Sequence, residues 1–196
     1  MKKIVMLISI LGALFALNIK QAYYDSYNYE KMGDYKDAIK VLIPVYKQYP
    51  NGYTVNLRLG WLFYLNKNYQ NALEHYKKAL IPAPYSIEAK LGIMRVYLTV
   101  RDYDNVLKVG DVVLKTDFYN YYGNYYEIEA LIGKKEYETA LKLTNKMLSL
   151  YPSSVLFLVE LGKIYFVQDK TRAMKIFNDV LILDPNNVIA KEYLNK

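Results

Sequence analysis

The side chains that most often carry catalysis are few in this chain and stand apart from one another. His75 is the single histidine and there is no cysteine, which excludes histidine metal clusters, cysteine nucleophiles and disulfides. The chain has neither a G-x-S-x-G sequence nor a glycine-rich phosphate loop. Glu127 and Glu129 form one local carboxylate pair, which is more typical of a solvated helix rim than of an acid–base couple. We therefore predict no enzyme, no catalytic residue, no metal and no cofactor, and we interpret His75 as an ordinary surface residue.

Tyrosine dominates the aromatic residues, with 23 copies beside 6 Phe and 1 Trp. Because a tyrosine ring can be buried while its hydroxyl stays in water, this excess favours half-buried and exposed aromatic faces. A low-GC codon bias is the alternative explanation, since Lys, Asn and Ile are abundant as well. The hydrophobic fraction of 53% and the charged fraction of 23% predict a packed protein rather than a disordered one.

The N-terminal segment carries the features of an export signal. Lys2 and Lys3 precede an apolar run of 14 residues from Ile4 to Leu17, which is shorter than the roughly 20 residues of a spanning helix. The possible cleavage sites, at Ala16 and Ala22, both lack a small residue two places earlier. We predict that residues 1–22 are a signal peptide or an N-terminal signal anchor. The rest of the chain would then be exported, to the periplasm or the outer face of the cytoplasmic membrane. A buried N-terminal core helix is the alternative.

The net charge of +7 does not favour a nucleic-acid partner. Lys2, Lys3 and Lys20 contribute three of the positive charges, and the remainder, about +4, is spread evenly along the chain.

A period of 34 residues runs through the remainder of the chain. It relates a set of apolar, mostly aromatic positions: Tyr29, Phe63, Tyr97, Leu131 and Tyr165. It also relates the small residues Ala38, Ala72, Val106 and Ala140, and Ala173 follows at 33 after a one-residue deletion. Each period contains two segments with helical apolar spacing, separated by a short polar turn. The residue before each second segment is Asp34, Asn68, Asp102, Glu136 or Asp169, and four of these five are good N-cap residues.

Repeat 2 holds the fullest pattern, with Leu59, Gly60, Phe63, Ala72, Tyr76, Ala79 and Pro84, and repeat 5 nearly matches it. In period and pattern the chain resembles the tetratricopeptide repeat (TPR) family over about residues 19–185. The resemblance implies an all-α fold, a right-handed α-solenoid of about five 34-residue helix-turn-helix repeats with a short C-terminal capping helix. We assign residues 23–196 to a single tetratricopeptide-repeat domain. The repeats span about 19–52, 53–86, 87–120, 121–154 and 155–187, and the cap spans 188–196.

Several positions depart from the pattern. In repeat 3, Gly110 stands in the middle of a helix where an aromatic residue is expected, which marks either a closer helix approach or a softer repeat. Pro44 falls inside the second helix of repeat 1 and should kink it. In the cap we expect Ile189 and Leu194 to face inward.

The resemblance also implies that the first helices line a concave groove. The residues that it places there are Tyr23, Tyr27, Leu57, Trp61, Tyr64, Leu91, Arg95, Leu98, Tyr122, Tyr125, Glu129 and Phe166. We expect Tyr27, Trp61, Tyr64, Arg95 and Tyr125 to form its centre, because Trp, Tyr and Arg are enriched at binding hot spots. Alternatively, the superhelix closes and these residues pack on one another, or the N-terminal segment covers them. Some relatives clamp a peptide carboxylate with Lys and Asn, a mode that Leu57 and Trp61 disfavour here.

These observations predict a non-enzymatic scaffold of the bacterial cell envelope that binds a partner peptide or protein segment in an aromatic concave groove. We expect a monomer or weak oligomer, no nucleic-acid partner, and no membrane contact beyond the N-terminal signal or anchor. Two alternatives remain open: an adaptor associated with exported polysaccharide or glycan, and a self-assembling structural solenoid.

Overall fold

The computed structural model describes residues 18–196, and in this range the regular structure is helical with no strand. The helices are α1 (Ile19–Lys31), α2 (Tyr35–Lys40), α3 (Ile43–Gln48), α4 (Tyr53–Leu65), α5 (Tyr69–Ala79), α6 (Ile87–Thr99), α7 (Tyr103–Thr116), α8 (Tyr121–Gly133), α9 (Tyr137–Leu150), α10 (Val155–Gln168), α11 (Lys170–Leu183) and α12 (Val188–Leu194). The first helices of the repeats are α1, α4, α6, α8 and α10. The second helix packs along the first in the pairs α1–α2, α4–α5, α8–α9 and α10–α11. The all-α helical-repeat fold is therefore confirmed.

The chain divides into two compact parts, which we call the N-terminal part (residues up to Ala89) and the C-terminal part (Lys90–Lys196). The division falls inside α6. The assignment of residues 23–196 to one domain and the right-handed sense of the solenoid stay predictions.

The predicted signal segment falls mostly outside the described residues, which begin at Asn18. Asn18 caps α1 by accepting a hydrogen bond from the Gln21 backbone N–H at 3.0 Å. Ala22, the last residue of the predicted segment, is buried in the core of the N-terminal part. None of the helices in residues 18–196 combines the length and the apolar character that a membrane crossing requires.

Small residues allow the two helices of a repeat to approach each other, as the period predicts. Ala38, Ala72, Ala140 and Ala173 have no exposed surface. In repeat 2 the ring of Tyr76 lies directly against Gly60, where a Cβ would come within 2.7 Å of a ring carbon. Phe177 covers Gly162 in the same way in repeat 5.

Gly110 takes part in the reverse arrangement. The large residue in repeat 3 is Met94, at the position that corresponds to Gly60 in repeat 2. Its Cε would lie 3.0 Å from a Cβ on Gly110. Met94 is fully buried. Gly110 therefore marks a close contact in which the large and small residues have exchanged helices.

The turns inside the repeats share one backbone feature. Gly33, Lys67, Arg101 and Lys135 all have φ between 59° and 77°, in the left-handed region, and they are 34 residues apart. The next residue caps the second helix through Asp34, Asn68 and Asp102, whereas Glu136 makes no cap hydrogen bond. In repeat 5 the deletion removes the left-handed residue, and Asp169 both ends α10 and caps α11.

Two other expectations concern helix geometry. Pro44 does more than kink the second helix of repeat 1: the helix ends at Lys40, and α3 restarts with Pro44 in its first turn. In the cap, Leu194 packs against the core, but the inward orientation of Ile189 is wrong, because its side chain is exposed. Ala190 and Tyr193 face the core instead, with the Tyr193 ring stacked on Phe177 at 4.8 Å.

Candidate partner-binding surfaces

The twelve predicted groove residues all lie on first helices, and each is exposed or half-buried. Five belong to the N-terminal part, on α1 and α4: Tyr23, Tyr27, Leu57, Trp61 and Tyr64. Seven belong to the C-terminal part, on α6, α8 and α10: Leu91, Arg95, Leu98, Tyr122, Tyr125, Glu129 and Phe166. That they form one continuous groove stays a prediction, so the two parts are described separately.

A polar network organises the aromatic face of the N-terminal part. Glu30 of α1 accepts a hydrogen bond from Trp61 Nε1 at 2.7 Å and forms an ion pair with Arg58 of α4. The Arg58 guanidinium also lies over the ring of Tyr27, 3.8 Å from its centroid, and donates through Nε to Ser26 Oγ at 3.2 Å. Arg58 is buried, and its Nη2 has no hydrogen-bond partner within the described residues. These contacts tie α1 to α4.

Trp61 is oriented from two sides. Its indole N–H is held by Glu30, and its ring stacks on Tyr64 with centroids 5.6 Å apart. Tyr27, on the neighbouring helix, keeps 51% of its surface exposed. Rings fixed in this way lose little conformational freedom on binding, which favours their use as contact residues.

In the C-terminal part, Arg95 of α6 donates to the hydroxyl of Tyr126 on α8 at 2.9 Å. Tyr126 is buried, and Tyr122, one turn earlier, is 54% exposed with its ring stacked on that of Tyr126. Arg95 is thus linked to the aromatic face of α8.

A cluster of ionisable groups joins α8 to α10. Lys163 Nζ donates to Glu129 Oε1 and to Glu160 Oε1, both at 2.8 Å. Burial raises the pKa of Glu160 to about 8, and the Glu129 charge acts in the same direction against the opposing effect of Lys163. Burial also raises the pKa of Tyr125, and the nearby carboxylates add to this shift. Although burial acts in the other direction, Glu160 and Glu129 raise the pKa of Lys163, which therefore stays charged.

The residues that organise both faces were not in the predicted set. Arg58, Tyr126 and Glu160 occupy the same place in their repeats, three residues before Trp61, Glu129 and Lys163. Each reaches toward the preceding first helix: Arg58 to Glu30, Tyr126 to Arg95, and Glu160 to Glu129. The sequence did contain a sign of these organising residues. Each is a polar side chain inside a largely apolar helix, about one turn before a residue of the groove face.

The interpretation of His75 as a surface residue is wrong. Its side chain is buried, and Nδ1 lies 2.8 Å from Asn56 Oδ1. The imidazole stacks on Phe63 at 5.2 Å and meets the edge of Tyr46. Burial lowers its pKa to about 4, so that His75 is neutral at physiological pH. His75 follows the charged Glu74 in the sequence, but the turn of α5 places the imidazole ring against α4.

Two apolar cavities lie beside these elements. One of about 340 Å³ in the N-terminal part is lined by Tyr23 and Tyr49, among others. One of about 480 Å³ in the C-terminal part is lined by leucines of α7, α8 and α9 together with polar and charged side chains that include Glu127 and Lys146. Within residues 18–196 no group of three His, Asp or Glu side chains could hold a metal ion.

The sequence of residues 26–87, which spans repeats 1 and 2, matches the family model described as tetratricopeptide repeat. These two repeats are tetratricopeptide repeats. The Gly60–Tyr76 contact and the buried alanines are the packing features that this repeat pattern requires.

Solved structures share the tetratricopeptide fold over most of the chain. MamA (residues 41 to the end) from Desulfovibrio magneticus RS-1 is 20% identical, with a TM-score of 0.74 over 88% of this chain and 99% of that one. A thermophilic TPR protein from Thermus thermophilus is 13% identical, with a TM-score of 0.72 over 90% and 97%. A tetratricopeptide repeat protein from Parabacteroides merdae ATCC 43184 is 16% identical, with a TM-score of 0.66 over 92% and 84%. No curated protein matches the sequence.

Identities this low show the fold alone, and the fold is that of a protein-interaction scaffold. The partner must therefore be inferred from the side chains that this chain places on its tetratricopeptide first helices.

Proposed function

We propose that this protein is an exported, non-enzymatic scaffold of the bacterial cell envelope, and that it holds a segment of a partner protein against the aromatic faces of its first helices. The observation that carries the proposal is the network of Glu30, Arg58 and Trp61. It presents Trp61, Tyr64 and Tyr27 in fixed orientations on α1 and α4.

Packing of the repeat does not require these aromatic residues. Leu59, Leu62 and Ala72 fill the core and have no exposed surface, whereas Trp61 and Tyr64 are only half-buried on the adjoining face. A protein gains little stability from large aromatic rings that remain partly in water, so their presence favours a binding role. Trp, Tyr and Arg are the residue types that contribute most of the energy at protein interfaces.

The proposal of export rests on the sequence of the first 17 residues, with Lys2 and Lys3 before the apolar run from Ile4 to Leu17. Cleavage after Ala22 would remove the Asn18 cap and the first turn of α1. Ile19, which packs against the core, would be lost with them. We therefore expect either cleavage before Asn18 or a retained anchor.

The test is co-purification from envelope extracts of cells that produce tagged wild-type protein or the double variant Trp61→Ala, Tyr64→Ala. We expect partners that bind the wild type to be lost from the variant, because its contact surface is removed while the core is untouched. The intact mass of the recovered protein reports whether residues 1–17 have been removed.

A matched control carries Tyr85→Ala and Tyr119→Ala, two exposed tyrosines outside the first helices. This variant should retain the partners. Circular dichroism verifies that both variants are folded. Retention of all partners by a folded Trp61→Ala, Tyr64→Ala variant would show that the aromatic face of α1 and α4 is not the binding surface.

A further inference from the structure

The Glu129–Lys163–Glu160 cluster holds two carboxyl groups and only one cation. Glu160 is 1% exposed, and its Oε1 accepts from Lys163, but its Oε2 has no hydrogen-bond partner within residues 18–196. A buried carboxylate oxygen without a partner is costly, because it loses its hydration and receives nothing in exchange. The cluster is therefore short of one positive charge or one proton.

In the protein without a bound partner, a proton on Glu160 compensates for the missing positive charge. Burial holds the pKa of Glu160 at about 8, and protonated Glu160 can donate to Glu129. The ionisable groups around the pair are Tyr125, Tyr126 and Glu129 from α8 and Lys163 from α10, and Arg95 of α6 is hydrogen-bonded to Tyr126. Lys163 is thus a cation that contacts both carboxyl groups.

The cluster is accessible at one edge. The side chain of Glu129 is 25% exposed. Tyr122, which lies one turn before Tyr125 in α8, is 54% exposed. Tyr125 and Phe166 are half-buried aromatic residues on the same two helices. Aromatic rings beside a carboxylate are the setting that receives an organic cation with an aliphatic stem, through both cation–π and ionic contacts.

We propose that Glu129 and Glu160 receive one basic side chain, a lysine or an arginine, from the partner segment. The cation pairs with Glu129 at the exposed edge and stabilises the charged form of Glu160 behind it, so that the proton of Glu160 is released on binding. This inference rests on the proposed function, and it adds the chemistry of the partner to it. A carboxylate-binding clamp would need the opposite charge at this place.

A library of random 12-residue peptides, selected on the immobilised full-length protein, tests both the binding of a partner segment and the need for a basic side chain in it. We expect the selected peptides to be enriched in Lys or Arg at one position. Against the best of them, Glu129→Gln should weaken binding at least about tenfold. The matched control Glu138→Gln changes an exposed glutamate of α9 and should leave binding unchanged.

The pH dependence of binding examines the role of Glu160 specifically. For the wild type, affinity should rise between pH 6 and pH 8, because the proton of Glu160 leaves more easily as pH rises. Glu160→Gln should abolish this rise, and thermal unfolding monitors whether the variant is folded. If Glu160→Gln is unfolded, calorimetry of the wild type in buffers of different ionisation enthalpy measures the proton release directly.

The outcomes separate the two proposals. Failure to select any peptide overturns the proposed function, and this inference with it. Selection of peptides without an essential basic residue, or with binding that Glu129→Gln leaves intact, overturns the inference alone. Binding without proton release has the same consequence.

Discussion

At the scale of single residues, close approach within a repeat is achieved by pairing one large and one small side chain. Tyr76 lies on Gly60 in repeat 2 and Phe177 on Gly162 in repeat 5, whereas in repeat 3 Met94 lies on Gly110. The large residue can come from either helix, because the space between the two helices is shared. Repeat 3 therefore keeps this close contact despite its weak match to the family pattern.

The exchange predicts opposite effects for the same substitution. Gly60→Ala places a methyl group 2.7 Å from the buried Tyr76 ring and should destabilise the protein by about 1–3 kcal/mol. Gly110→Ala meets the flexible end of Met94 at 3.0 Å and, in ordinary contact, the Glu127 carboxyl group at 3.9 Å. It should stabilise the protein by up to about 1 kcal/mol through helix propensity. Urea unfolding of both variants measures the difference, and equal effects would contradict the pairing.

At the scale of elements, the turn between the two helices of repeats 1 to 4 requires one residue in the left-handed conformation. That residue is a glycine only in repeat 1. Lys67, Arg101 and Lys135 adopt φ of 59°, 60° and 64°, and Gly33 adopts 77°. The left-handed conformation costs a residue with a Cβ about 1–2 kcal/mol. The capping residue that follows sets the direction of the second helix, so the chain retains the conformation despite this cost.

Lys67→Gly should therefore stabilise the protein by about 0.5–1 kcal/mol, after allowance for the greater freedom of glycine in the unfolded chain. Gly33→Ala is the reciprocal control. No atom lies within 4 Å of the added Cβ, so the expected loss of about 1 kcal/mol reports the backbone alone. Thermal unfolding measures both changes, and a destabilised Lys67→Gly variant would refute the interpretation.

At the scale of the whole molecule, each compact part contains a buried ionisable group that responds to pH, and the two respond in opposite directions. His75 in the N-terminal part is neutral because burial lowers its pKa to about 4. Glu160 in the C-terminal part keeps its proton because burial raises its pKa to about 8. Their opposite shifts follow from the same cause, since burial disfavours the charged form of either group.

The two groups should consequently have opposing effects on stability between pH 4.5 and pH 6.5, and the Glu160 effect should continue alone up to about pH 8. As pH falls from 6.5 to about 4, His75 becomes protonated in the unfolded state but stays neutral in the folded state. The stabilisation that is present above pH 6.5 is therefore lost. As pH rises from 4.5 to about 8, the folded state retains the proton of Glu160 and the unfolded state releases it, so the stabilisation present below pH 4.5 is lost.

Two probes can assign these changes. Trp61 is the single tryptophan and reports on the N-terminal part, whereas circular dichroism reports on all helices. We expect His75→Gln to remove the fall in the urea midpoint that fluorescence follows from pH 6.5 down to about 4. Glu160→Gln should remove the fall that circular dichroism follows from pH 4.5 up to about 8. Unchanged pH profiles in these variants would show that other groups dominate.

The features that repeat along the chain could be predicted from the sequence. The 34-residue step, the buried alanines, the capping residues and the one-residue deletion before Asp169 all depend on local backbone geometry or on packing within one helical hairpin. Such features recur at a constant spacing in the chain. They were therefore sufficient to predict the family and the all-α fold, and they also placed the first helices.

Contacts between polar side chains of different repeats could not be predicted from the sequence, because they depend on how the helices pack. Arg58, Tyr126 and Glu160 contact residues 28 to 31 positions earlier, on the preceding first helix. His75 is buried by its contacts with Asn56 and Phe63, and Ile189 is exposed because Ala190 and Tyr193 occupy the contact with α11. The rotation of each helix about its axis is set by the sum of many weak packing contacts. A periodic pattern leaves this rotation uncertain by about one position, and one position on a helix is enough to turn a side chain from water into the core.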